Sequence, residues 1–307
     1  MRITVLGAGA MGSLYGGFLA EAGNEVWLLD VWKEHVTAIR EQGLRIEGIS
    51  GERCIKNIHA TDTPSAIGPS ELVIVFVKST VTDLALKEAQ DIIGEDTVIL
   101  TLQNGLGNIE KIASVVDNES IIAGTTAHGA TVLGAGHIKH AGRGATIIGE
   151  IDGKDTARIK AVADVLNAAK LETTISNNVM GLIWDKLLVN VGINALTAIT
   201  RLKNGRLIEF RETEEILELA VTEALMVAQA KGIQLNYADP VAHTKDVCKL
   251  TAENKASMLQ DILHKRKTEI DMINGAIVRE GEKLGIRTPV NKVLSNLVAV
   301  IQRFIEN

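Results

Sequence analysis

The sequence predicts an α/β Rossmann-type doubly wound sheet followed by an all-α C-terminal domain. Three observations carry that prediction. A glycine-rich turn directly follows the first apolar strand, apolar strands alternate with helices through the first half, and the second half has helical periodicity with little strand character. The apolar run Ile3 to Leu6 leads into Gly7, Ala8, Gly9, Ala10, Met11 and Gly12. This G-x-G-x-x-G opens a helical segment from Ser13 to Ala22. Gly7 suits the tight strand-to-helix turn, Gly9 lets backbone approach a diphosphate, and Gly12 lets the helix lie close on the strand. The free amides and positive dipole end of the helix then hold the diphosphate. A second strand, Glu25 to Leu29, completes the βαβ unit and ends at Asp30, eighteen residues after Gly12. An acidic side chain there can accept both hydroxyls of an adenosine ribose and repels a 2′-phosphate, which favours NAD(H) over NADP(H). Its alternative role is a cap on the helix starting near Lys33. Lys33 and Arg40 lie downstream and could offset the repulsion.

Further along, Gly43 to Ile58 looks like a short strand and turn excursion. A buried strand is expected at Glu71 to Val77, a helix at Thr82 to Ile93, a strand at Thr97 to Leu102 and a helix near Ile109 to Val115. Strands follow at Ile121 to Ala127, His137 to His140 and Thr146 to Gly149, then a helix at Asp155 to Ala169 and a short strand at Glu172 to Ile175. The pattern changes near Ser176, giving a dinucleotide-binding domain over 1–176 and a helical domain over 177–307. In the latter, helices are expected at Asn178 to Leu196, Thr213 to Lys231, Met258 to Lys283 and Lys292 to Ile305, with Pro240 and Pro289 between helices. A site is expected in the cleft between domains, at the carboxyl ends of the strands.

Composition narrows the partners. At 307 residues, 46% of them hydrophobic, the chain can build two cores. A net charge of −6, with no basic block, argues against nucleic acid. Cys54 and Cys248 lie far apart in different expected domains and fit a reducing cytoplasm rather than a disulfide. Residues 1–12 are already strand and turn, without a leader pattern, and no apolar run approaches the ~18 residues of a membrane span. A cytoplasmic protein without a membrane partner or metal is expected. The apolar stretch Val293 to Ile301 is either core, the commoner role, or the face of a homodimer.

The helical half carries the chemistry. Lys186, Asn190 and Asn194 stand at i, i+4 and i+8 and form one polar stripe on a helix otherwise built of Leu, Val and Ile. A single amine with two amides suits a helix face lining a cleft: the amides hold hydroxyls or a carbonyl, and the amine supplies a proton. Alternatively, Lys186 snorkels to solvent and the asparagines serve local backbone. Ser257 and Glu269, if carried on one straight helix, would stand about 18 Å apart and could not both touch a small substrate. The charge run His264 to Lys267 reads as a solvated face.

Five blocks in order resemble the ketopantoate reductase (2-dehydropantoate 2-reductase) family: GAGAMG (7–12), QNGLGN (103–108), GTTAHGA (124–130), WDKLLVNVGINALTAI (184–199), and SMLQD (257–261) followed by TEIDMING (268–275). The resemblance spans nearly the whole chain. It implies a C-terminal domain like that of 6-phosphogluconate dehydrogenase and reduction of a 2-oxo acid by NAD(P)H. By position, Lys186 matches the family's catalytic lysine, and Asn104 its asparagine at the junction of substrate and nicotinamide ribose. Asn190, Asn194, Asn254 and Ser257 match its substrate-binding residues. Lys78 and Ala130 match cofactor contacts, and Glu269 matches the active-site glutamate associated with cofactor and substrate. NADP(H) is the family default, but the arginine that NADPH-using members carry after the second strand is missing from Asp30 to Lys33. The same scaffold hosts NAD-dependent D-2-hydroxyacid dehydrogenases for branched or aromatic 2-oxo acids. Buried amides on the stripe favour a hydroxylated substrate over an apolar one. A dinucleotide-binding redox sensor would need the glycine turn but not the lysine stripe.

Overall fold

The computed structural model describes residues 1–306. Contacts divide it into two units: Met1–Gln103 with Asn108–Val179, and Asn104–Gly107 with Met180 onward. In the first unit, the elements in order are β1 (Arg2–Leu6), α1 (Ala10–Glu21), β2 (Glu25–Leu29), α2 (Lys33–Gln42), β3 (Leu44–Gly48), β4 (Arg53–Ile55) and β5 (His59–Thr61). Then come β6 (Ser70–Val75), α3 (Thr82–Glu88), β7 (Ile93–Thr101), α4 (Asn108–Ala113), β8 (Ile121–Thr126), β9 (Gly129–Gly134), β10 (His137–Gly142), β11 (Thr146–Glu150), α5 (Ala157–Ala168) and β12 (Thr173–Ile175).

The main sheet has the order β12-β11-β8-β7-β6-β1-β2-β5. Strands β5 through β8 in that row are parallel, β11 is antiparallel to β8, and β12 is parallel to β11. Parallel strands covered on both faces need continuous apolar runs, which is why β1 and β6 read as they do. The chain moves outward through β2 and β5, then returns to place β6 beside β1. Strand order reverses there, where such sheets bind ligands. Gly7–Gly12 follow β1, and Lys78 follows β6 shortly beyond its end at Val75.

A second sheet, ordered β4-β3-β10-β9, was legible only in part, as the excursion over Gly43 to Ile58 and the strand at His137 to His140. Strand β3 pairs in parallel with β10, far downstream, so no local pattern announces it. Strand β9, a glycine-flanked segment, is read from its pairing with β10. Helix α1 shares one apolar core with residues of both sheets: Val5, Leu28 and Leu72 from the first, Leu44, Ile46 and Ile138 from the second. It is buried from Gly12 to Ala20, so it lacks a polar stripe.

The helical unit contains α6 (Val179–Thr200), α7 (Arg211–Ala230), α8 (Pro240–Leu250), α9 (Ser257–Leu263), α10 (Asn274–Leu284) and α11 (Pro289–Glu306). Trp184, Leu188 and Val191 of α6 pack with Leu217 and Val221 of α7, Ile277 of α10 and Val298 of α11. Pro240 and Pro289 lie at the first positions of α8 and α11 rather than between helices, where a missing N–H costs nothing. The expected helix over Met258 to Lys283 is broken. Lys265 takes a left-handed φ of 54°, and Arg266 N donates to Asp261 O (2.8 Å), ending α9. The expectation about apolar runs also needs correction. Helix α6 is long and apolar enough to cross a membrane by length and composition, although 67% of its apolar window is buried inside the protein. Asp185 and Lys186 interrupt the run in sequence without lowering its mean hydropathy below that of a span.

Candidate active site

The glycine turn separates what the fold demands from what a ligand would demand. Gly7 has φ +99°, and a Cβ there would stand 2.6 Å from Val77 N. A Cβ at Gly12 would stand 1.9 Å from Gly7 O, so its closest constraint is the turn's own carbonyl rather than the strand. Gly9 is different. Its φ is −60°, and a Cβ would meet nothing within 4 Å. Nothing in the chain requires glycine at 9, whereas a diphosphate lying over the turn would. The residues present therefore fit a dinucleotide.

Asp30 braces this turn. Its Oδ2 accepts from Ala8 N (2.6 Å) and its Oδ1 from Trp32 N (2.9 Å). The capping alternative fails, because the N-cap of α2 is Trp32, with no side-chain cap. Each carboxylate oxygen retains acceptor capacity for a ribose hydroxyl. Two residues that sequence reasoning missed hold the other side of Ala8. Ser13 Oγ donates to Ala8 O (2.7 Å) and lies 3.1 Å from His35 Nε2, while Gly136 N donates to His35 Nδ1 (3.0 Å). Nδ1 therefore accepts, and Nε2 carries the ring proton toward Ser13. Burial lowers the His35 pKa, with Asp30 opposing, so the ring stays neutral. Ser13 could have been found from its place after Gly12. His35 could not, since its partner Gly136 lies about a hundred residues downstream. Gln103, also missed, donates from Nε2 to Val77 O (2.6 Å) and Thr82 Oγ1 (2.9 Å), tying the end of β7 beside Lys78. Lys78 is exposed, and Ala130 lies in β9 opposite His140.

In the helical unit, Lys186, Asn190 and Asn194 occupy successive turns of α6. Lys186 is largely withdrawn from solvent. Desolvation pushes its ammonium down to about 8, and the Glu269 carboxylate opposes that shift. Asn194 is buried, with Nδ2 3.5 Å from Ser257 Oγ. Asn190 is half-buried between them, and Asn254 is exposed just before α9, its carbonyl accepting from Asn204 N (3.1 Å). Because α9 ends at Leu263, Ser257 and Glu269 do not share a helix, and the separation argued from a straight helix lapses.

Glu269 sits in a braced turn. Before it, Thr268 N and Oγ1 donate to Gln302 Oε1 (2.8 and 2.7 Å). After it, Met272 O accepts from Leu106 N (3.0 Å). The segment Asn104–Gly107 thus belongs to the helical unit although it follows β7 in sequence. Beneath this turn lies a polar network that periodicity gave no hint of. Asn274 Nδ2 donates to Val191 O of α6 (3.1 Å) and Asn291 Oδ1 (3.0 Å), and Asn291 Nδ2 donates to Glu223 Oε2 (2.8 Å). These buried bonds tie helices α6, α7, α10 and α11 together, although Asn274 Oδ1 is left without a hydrogen-bond partner among the described residues.

Residues 3–153 match the family described as ketopantoate reductase PanE/ApbA, and residues 178–302 match its C-terminal counterpart. The chain belongs to the ketopantoate reductase family. A 2-dehydropantoate 2-reductase of Halobacterium salinarum is 39% identical over 99% of both chains, and one of Pyrococcus horikoshii is 38% identical over 97% of this chain and 96% of its own. The solved PanE/ApbA family ketopantoate reductase of Ralstonia eutropha superposes with a TM-score of 0.92 at 35% identity over 100% of both chains. A D-mandelate dehydrogenase solved with NADH and anilino(oxo)acetate superposes with a TM-score of 0.93 at 32% identity over 99% of both. The two ketopantoate reductase segments between them contain every candidate residue named above, and also His35, Asn274 and Asn291.

Proposed function

We propose that the chain is a cytoplasmic 2-dehydropantoate 2-reductase, converting ketopantoate to D-pantoate with a nicotinamide cofactor, and that NADH is the preferred form. The observation that carries this reading is Lys186: a desolvated amine with a pKa near 8, on one helix face with two amides and electrostatically coupled to Glu269. The cofactor, when bound, supplies the hydride. As negative charge grows on the ketone oxygen, the Lys186 ammonium stabilises it and then donates its proton. A pKa near 8 keeps the lysine mostly charged at neutral pH while making it a stronger acid than an exposed lysine. Asn190 and Asn194 hold substrate hydroxyls, and Ser257 with Asn254 holds the carboxylate side. Asn104 and Glu269 orient the nicotinamide ribose and the lysine. Gly7–Gly12, with Asp30, Lys78 and Ala130, hold the rest of the dinucleotide. Asp30 supports NADH, since a 2′-phosphate would meet its negative charge.

Initial rates with ketopantoate and each of NADH and NADPH test both parts together. Lys186→Ala is expected to lower kcat by orders of magnitude with cofactor binding intact, and unchanged turnover would remove Lys186 from the acid role. A second reading, a D-2-hydroxyacid dehydrogenase for branched or aromatic 2-oxo acids, is favoured by Asp30 and by the likeness to D-mandelate dehydrogenase. Faster turnover of 2-ketoisovalerate or phenylglyoxylate than of ketopantoate would select it.

A further inference from the structure

His35 of α2 is fully buried and closes a circuit of contacts around Asp30. Asp30 Oδ2 accepts from Ala8 N (2.6 Å), Ala8 O accepts from Ser13 Oγ (2.7 Å), and Ser13 Oγ lies 3.1 Å from His35 Nε2. The His35 ring stacks on the Trp32 ring, with centroids 4.7 Å apart and planes 12° from parallel. Trp32 N then donates to the other carboxylate oxygen, Asp30 Oδ1 (2.9 Å). The loop thus leaves Asp30 through one oxygen and returns through the other.

The direction of each bond is fixed. Ser13 has one hydroxyl proton and a carbonyl only accepts, so that proton goes to Ala8 O. Ser13 Oγ then accepts from His35 Nε2–H. The opposite ring nitrogen, Nδ1, accepts from Gly136 N (3.0 Å). Gly136 lies between β9 and β10 with φ +69°, and a Cβ there would come 3.0 Å from Ala38 Cβ of α2. The turn of the second sheet therefore seats closely on α2 and holds the ring in place. A neutral histidine alone offers a donor at one edge, an acceptor at the other and a flat face for the indole.

The loop has two consequences for Asp30. Each carboxylate oxygen is held by a separate main-chain N–H, and both N–H groups are anchored through His35, so rotating the carboxylate breaks bonds on both sides. The charge of Asp30 is also kept whole. Burial lowers the His35 pKa against the opposing pull of the Asp30 charge and the Ala8 carbonyl. A neutral ring leaves Asp30 fully negative, where a histidinium would offset it.

We propose that His35 is a positioning residue for cofactor selection. Taking the glycine turn as the dinucleotide site proposed above, it fixes the Asp30 carboxylate in the orientation that accepts the adenosine ribose hydroxyls and repels a 2′-phosphate. Being fully buried, it acts through Ser13 and Trp32 rather than by touching the ligand.

The test is equilibrium titration of the full-length protein with NADH and with NADPH, followed by nicotinamide fluorescence, with no 2-oxo acid present. His35→Phe keeps a flat ring against Trp32 and removes both nitrogens. The NADH Kd should rise about three- to ten-fold, as expected when hydrogen bonds that orient a charged acceptor are lost. The NADPH Kd should change by less than about two-fold, because the lost contact and the relieved repulsion offset each other. In an Asp30→Ala background the same substitution should change the NADH Kd by less than about two-fold, since no carboxylate remains to be oriented. Ser13→Ala breaks the same loop with a smaller change and should weaken NADH binding in the same direction, so a poorly folding His35→Phe does not end the test. An NADH Kd unmoved in both variants, NADH and NADPH weakened alike, or an equal loss in the Asp30→Ala background overturns the role of His35 and leaves the reductase reading standing. Unaltered protein that binds neither dinucleotide, or binds NADPH as tightly as NADH, refutes the cofactor reading itself, and the role of His35 falls with it.

Discussion

Replacing Glu269 by Gln should move the pH limit of the reaction downward. The Lys186 ammonium is pushed from 10.5 to about 8 by desolvation, with Glu269 the opposing influence. That displacement corresponds to about 3 kcal/mol against the charged form. Glutamine keeps the shape of the side chain but removes its charge, so desolvation acts unopposed. A nearby opposite charge typically moves a pKa by about one to three. The Lys186 pKa should therefore fall to about 7 or below in the variant. Reduction needs the protonated amine, which is present below its pKa and lost as pH rises through it. The alkaline limb of kcat should thus move from about pH 8 to about pH 7 or lower, and at pH 8 the variant should be about five-fold slower from protonation alone. The assay is kcat against pH from about 6 to about 10 at saturating ketopantoate and NADH. A limb that stays in place, or moves upward, would refute the coupling of these two residues and the acid role built on it.

Four other outcomes follow from the same geometry. Lys186→Met should abolish turnover yet raise stability at pH 7 by about 1–3 kcal/mol in chemical denaturation. The folded-state pKa lies below the unfolded one, so the amine's burial cost is full below about pH 8 and fades as pH rises to about 10.5, and the gain from methionine should fade with it. Asp30→Asn should lower the NADH:NADPH ratio of kcat/KM by about ten-fold or more, and an unchanged ratio would end Asp30's role in selectivity. Gly9→Ala should leave thermal stability within about 0.5 kcal/mol while weakening NADH binding, whereas Gly12→Ala, whose Cβ would collide with Gly7 O, should lose more than about 2 kcal/mol. Asn274→Ala should cost about 1–3 kcal/mol in urea titrations, since it strands the buried Asn291 Oδ1 and removes the bond to the Val191 carbonyl.

The sequence by itself determined whatever depends on near neighbours in the chain. The strand–turn–helix at Gly7–Gly12 and the acidic end of β2 are short-range patterns, and both were legible. So was the stripe Lys186, Asn190, Asn194, because helical periodicity alone places those side chains on one face of α6. Apolar parallel strands and apolar-striped helices likewise identified the two fold classes, since burial acts residue by residue. Only the tertiary structure decided what rests on distant pairings. Strand β3 finds β10, His35 finds Gly136, and Leu106 finds Met272 across long stretches of chain. The break after Leu263, which frees Glu269 from the geometry of α9, arises from one left-handed lysine and a glutamine on α11 that captures Thr268. The acidity of Lys186 also came only with the fold. Its lowered pKa is the sum of desolvation by packed neighbours and one carboxylate far along the chain, and neither is a property of a lysine in a sequence.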